Sequence, residues 1–138
     1  MILSQINWLS LFLGALAGFV LGALWYGPLF SKAWMKAAGI TKEDGKGLNM
    51  GVLMGKSFLT YLILAFVISI ILIMIPAADP SDHSWMEGAH IGLLVGLASL
   101  TTVFNNSFYE MRPTSLGLIN GVYALLNGAV IGAVIGAF

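Results

Sequence analysis

Glycine recurs every fourth residue in three of the long apolar stretches of this chain: Gly14, Gly18 and Gly22; Gly88, Gly92 and Gly96; Gly128, Gly132 and Gly136. In a helix in water each such glycine costs roughly 1 kcal/mol relative to alanine, so a soluble domain gains nothing from rows of them. Between helices embedded in lipid, the same rows let two backbones approach closely and gain dispersion contact. The pattern points to packed membrane helices.

A membrane-crossing helix needs about 20 mostly apolar residues. The 138 residues hold four such runs, about 6–27, 52–75, 86–108 and 116–137, which leaves no room for a soluble domain. Charged residues make up only 9% of the chain, against about 25% in globular domains. The expectation is one all-α integral membrane domain over 1–138, with four transmembrane helices. The first run follows no Lys or Arg and exceeds the usual signal core of about 7–15 residues, so it reads as a retained helix. A formal net charge of zero and the lack of a basic run remove the electrostatic basis for binding nucleic acid. With no cysteine, thiolate catalysis, disulfides and cysteine metal sites are excluded together.

Loop charge sets the expected topology. Lys32, Lys36, Lys42 and Lys46 lie in the first connection, Lys56 just inside the second span and Arg112 in the third connection. The second connection carries Asp79 and Asp82 and no cation. By the positive-inside rule the first and third connections face the cytoplasm and both termini face outward, in what reads as a bacterial cytoplasmic membrane. Within the first connection, Pro28 suits the first position of a helix. From there Leu29, Phe30, Ala33, Trp34 and Ala37 form one arc, while Ser31, Lys32, Met35 and Lys36 form the other. A short amphipathic interfacial helix is expected there, ended by Gly39 and followed by a Thr41/Asp44 pair resembling a capping box.

Polar residues inside the spans are the candidates for a site, because an unpaired amide in hydrocarbon costs several kcal/mol. The second span, with only Ser57, Thr60 and Ser69 marked as polar, reads as a lipid-facing wall. Thr101, Thr102, Asn105 and Asn106 lie on the third span and Asn120, Tyr123 and Asn127 on the fourth; residues 102, 105, 106 and 109, like 120, 123 and 127, follow helical spacing and form two stripes that can face each other. Above them the second and third glycine ladders can close the outer half of the same helix pair. Glu110 and Arg112 bracket the third connection, either as a solvated pair or with Glu110 dipping inward to meet Asn106 and carry a proton or cation. Trp25, Tyr26 and Trp34 lie at the same depth and read as interface anchors or as an aromatic rim around a ligand. The first ladder is left over, a face for a second copy or another membrane protein.

Other motifs carry less. Gly51, Gly55, Lys56 and Ser57 imitate a phosphate loop, but only three residues separate the glycines where four are required. Glu87 and His90 share a helical face near Asp79, Asp82 and His83, yet nothing fixes the loop ligands, so no metal site is assigned. No catalytic constellation and no cofactor motif is evident, and the chain is not read as an enzyme.

The blocks GALWYGPLFSKAW (22–34), NNSFYEMRP (105–113) and LINGVYALLN (118–127) carry a family resemblance. They resemble the small membrane proteins grouped as domain of unknown function 1761, found in bacteria and fungi, over nearly the whole chain. The resemblance implies a four-span architecture and no assigned activity. Small multidrug exporters are similar in length but place an essential glutamate in the first span, where this chain has no acidic residue. The expected function is therefore an oligomeric or accessory membrane subunit binding a lipid, small molecule or partner helix at its cytoplasmic half. The alternative is a small transporter or channel lined by the polar residues of the third and fourth spans.

Overall fold

Each long apolar run forms a helix. A computed structural model describes residues 1–75 and 84–138. Its helices are α1 (Trp8–Leu24), α2 (Ser31–Ala38), α3 (Met50–Met74), α4 (Trp85–Tyr109) and α5 (Thr114–Ala137). Among the described residues, four segments are long and apolar enough to cross a membrane, the first counted through to Leu29. Helix starts follow local capping chemistry: the side chains of Asn7, Asn49 and Ser84 accept from the backbone N–H of Ser10, Val52 and Glu87.

Pro28 does not open α2. Between α1 and α2 the chain makes a wide turn over Trp25–Leu29, with Gly27 in a non-helical conformation (φ −97, ψ −107). Pro28 has no N–H to give the preceding turn, and the Phe30 N–H reaches back five residues to the Trp25 carbonyl at 2.9 Å. α2 therefore begins at Ser31, and its inward arc shifts. Trp34 and Met35 are half-buried, whereas Ala33 is exposed together with Lys32 and Lys36. Gly39 ends the helix as expected, at φ +69, with Ile40 N–H bonded to Met35 O.

The core is built from α1, α3 and α5. Ile6, Leu11, Ala15, Ala65, Ile68, Leu72, Ile131 and Ile135 make one apolar cluster. The second span is thus not a wall, because Ala65, Ile68, Ser69 and Leu72 place one face of α3 at the centre. α4 lies outside this trio, packed chiefly along α5 and more lightly on α3.

The first glycine ladder is consumed inside the chain. α1 runs antiparallel to α5, with Gly14 against Ile135, Gly18 against Ile131 and Asn127, and Gly22 against the hydroxyls of Tyr123 and Tyr61. The leftover face expected for a partner does not exist, because the periodicity of the glycines is answered by large side chains instead of a third glycine row. The other two ladders pair as anticipated. A methyl group at Gly88 would meet the Gly132 carbonyl, and one at Gly92 would meet that of Gly128. Toward the other end of this seam the Phe104 ring fills the space over Gly117 and Gly121.

The antiparallel arrangement puts every lysine and Arg112 at one end of the bundle, called here the lysine end. Asn7 and Phe138 meet at the far end, where Asn7 Nδ2 donates to the Phe138 carbonyl at 3.1 Å.

Candidate functional site: an aromatic and amide cluster at the lysine end

The wide turn after α1 aims two aromatic side chains at α5. Trp25 is buried and its indole N–H donates to the Ile119 carbonyl at 3.2 Å. Tyr26 donates its hydroxyl to Asn120 Oδ1 at 2.9 Å. Trp34 of α2 meets Tyr26 edge-on at 5.8 Å, and Tyr26 meets Tyr123 at 5.0 Å. The rim reading thus separates into parts, with Trp25 in the interior and Tyr26 and Trp34 half-buried beside an open groove. That groove measures about 500 Å³ and is lined by Tyr26, Trp34, Val103, Asn120, Tyr123 and Ala124.

A second string of polar atoms continues inward. The hydroxyls of Tyr61 and Tyr123 lie 2.6 Å apart, and Tyr123 donates to the Gly18 carbonyl at 3.4 Å. With the Tyr123 proton directed at Gly18, Tyr61 is the donor within the pair. Asn127, only 3% exposed, lies one turn further along α5, and its Oδ1 has no hydrogen-bond partner among the described residues. Beyond it Ala15, Ala65, Ile68 and Ile131 are fully buried and form an apolar plug across the core. Tyr61 was missing from the sequence candidates. A tyrosine within an aliphatic span has a hydroxyl that needs a partner, and that was the available signal.

Of the expected polar site, the structure brings together Asn120, Tyr123 and Asn127 with the aromatics. It does not bring Asn105 or Asn106 to them. Both are exposed on the outer surface of α4, because Phe104 and Ser107 take the positions facing α5. The two stripes therefore do not face each other. Glu110 does not reach inward to the Asn106 side chain, since its carboxylate lies 4.0 Å from Arg112 Nε with both side chains largely exposed. Arg112 also reaches across to α2, donating from Nη1 to the Ala38 carbonyl at 3.3 Å. It thereby places a cation on that helix's C-terminal end. Asp79, Asp82 and His83 lie outside the described residues.

Among the described residues, four helices long and apolar enough to cross a membrane, with an aromatic and amide cluster at one end of an apolar core, define a small all-helical protein. The chain belongs to the family described as protein of unknown function (DUF1761), whose model matches residues 9–136. Comparison with curated proteins and with solved structures yields no match.

Proposed function

We propose that this protein is a lipid-binding membrane subunit that holds an anionic lipid in the groove at its lysine end, with that end facing the cytoplasm. The observation carrying this reading is the hydrogen-bond state of Asn120. Its Oδ1 accepts from Tyr26, which leaves its amide N–H groups for the groove that it lines with Trp34. A wall of aromatic and aliphatic groups suits an acyl chain, and amide donors suit phosphate or ester oxygens. Lys32 and Lys36 on the exposed face of α2 add about 1 kcal/mol of attraction each for an anionic headgroup at the membrane surface.

In this reading α2 lies in the headgroup layer and covers the groove through Trp34. Contact with another membrane protein or a second copy is placed on α4, where Asn105 and Asn106 face outward, and no longer on the α1 ladder. The experiment is native mass spectrometry of the purified chain equilibrated with phosphatidylglycerol or phosphatidylcholine. Wild type retains phosphatidylglycerol preferentially. Asn120→Leu reduces that retention about tenfold, the size expected for losing a hydrogen bond to a charged group, and Trp34→Ala reduces it by removing the ring that walls the acyl chain. Equal retention of the two lipids, or variants that bind as wild type does, would overturn the reading.

A further inference from the structure

The far end of the bundle carries a separate cleft of about 370 Å³. Its lining includes Gln5, Asn7, Ser10, Ser69, Leu72 and Gly136. Ser10 and Ser69 are 2% and 4% exposed, so two hydroxyls are buried in what is otherwise the apolar core of α1, α3 and α5. Both protons are already committed. Ser10 Oγ donates to the Asn7 carbonyl at 2.9 Å, and Ser69 Oγ donates to the Ala65 carbonyl at 2.8 Å. What these two hydroxyls present to the cleft is therefore lone pairs, with no proton to give.

Two of the three helix ends that line the cleft carry the negative sign. α3 and α5 both finish at this end, and the last carbonyls of a helix have no intrahelical N–H partner and carry the negative end of its dipole. α1 begins here and presents the opposite end, with one of its first N–H groups, that of Ser10, closed by Asn7 Oδ1. Asn7 Nδ2 is directed to Phe138 O, which leaves the exposed Gln5 as the mixed donor and acceptor at the mouth. A cleft with acceptors at its base and two negative helix ends at its rim selects a ligand with a positive charge and N–H donors.

We infer that this cleft is a binding site for a primary ammonium group. Its volume leaves a bare alkali ion mostly unaccompanied and suits an ammonium on a short organic stem. Two sources share that chemistry: the ethanolamine headgroup of a lipid, which lies at the depth of these helix ends, and a free small amine. The site is distinct from the lysine-end groove, whose Asn120 offers donors, and neither reading depends on the other.

The test uses the full chain, purified in detergent. By native mass spectrometry, phosphatidylethanolamine is retained at least about tenfold more than phosphatidylcholine, whose headgroup nitrogen has no N–H to donate. Ser10→Ala/Ser69→Ala abolishes this preference and leaves phosphatidylglycerol retention unchanged, while Ser99→Ala on α4 changes neither. n-Butylammonium chloride, assayed by thermal stabilisation beside tetramethylammonium and sodium chloride, separates the sources. Stabilisation by butylammonium alone assigns a free amine, and lipid preference without it assigns the headgroup. Both outcomes support an ammonium site. Wild-type protein with no lipid preference and no selective butylammonium stabilisation overturns it, whether or not the serine variant folds. A preference that survives in a folded serine variant overturns it equally.

Discussion

The α4–α5 seam and the α1–α5 contact use the same four-residue glycine spacing for different physical purposes. In the seam, glycines on both helices remove side chains altogether and the backbones touch, so an added Cβ at Gly88, Gly92, Gly128 or Gly132 would meet a carbonyl of the opposite helix. In the α1–α5 contact only α1 contributes the ladder, and each glycine forms a socket for a side chain of α5. A backbone atom cannot yield without moving a helix, whereas a side chain can change rotamer. Identical motifs therefore predict different tolerance.

The same substitution separates the two. Gly92→Ala is expected to cost about 3 kcal/mol or more, at or beyond the upper range for overpacking, because the methyl group would land on the Gly128 carbonyl. It should be read as loss of folded protein in an equilibrium unfolding titration in mixed micelles. Gly18→Ala displaces Ile131 Cδ1 and Asn127 Oδ1, met at 2.7 and 2.8 Å, and is expected to cost about 1–2 kcal/mol. Tyr123→Phe belongs beside it. It deprives Tyr61 of its acceptor and Gly18 of its donor at a cost of about 1–2 kcal/mol, and a double-mutant cycle with Tyr61→Phe would give coupling between the two rings. A Gly18→Ala cost matching that of Gly92→Ala would break the distinction.

Smaller effects sharpen it. Met111, in the turn joining the seam helices, holds a left-handed conformation at φ 52, with Arg112 N–H bonded to Ser107 O at 3.0 Å. Met111→Gly relieves that conformation and is expected to stabilise by about 0.5–1 kcal/mol in the same titration. Asp44 lies in the loop outside both regions and serves as a control. Hydrogen bonds from the Thr41 backbone N–H and then its hydroxyl hold the Asp44 carboxyl below its ordinary pKa. Its contribution is complete above the unfolded value and is lost as pH falls through the lower folded one. The Thr41 amide resonance should report that titration with no change in helix content.

The sequence made the spans legible because each run is long and bounded by turn residues. It also made Gly39 legible as a helix end. The pairing of the second and third ladders followed from a short connection that forces α4 and α5 to be antiparallel neighbours. Partner choice was less legible. Spacing assigns Asn105 and Asn106 to one face of α4, but does not say on which side of that face α5 lies, and Phe104 fills the inward position instead. The α1 ladder failed for a related reason, since a glycine row announces close approach and not whether glycine or isoleucine answers it. Pro28 was placed at a helix start by its fixed φ, while its missing N–H acted one turn earlier and turned Trp25 and Tyr26 toward α5. Ser10 and Ser69 were inconspicuous because one serine in an apolar span is ordinary; only the fold sets the two around one cleft.

The pairing of α1 with α5 also has a chronology. The ribosome delivers α1 before α5, yet these two helices close the core together with α3, and the Asn7 amide waits for Phe138. Until then the sockets at Gly14, Gly18 and Gly22 lack Ile135, Ile131 and Tyr123. The α4–α5 hairpin can close on itself as soon as its second arm emerges. The contact between α1 and α5 therefore waits on the later helix, and a chain halted before α5 would leave α1 without its counterpart.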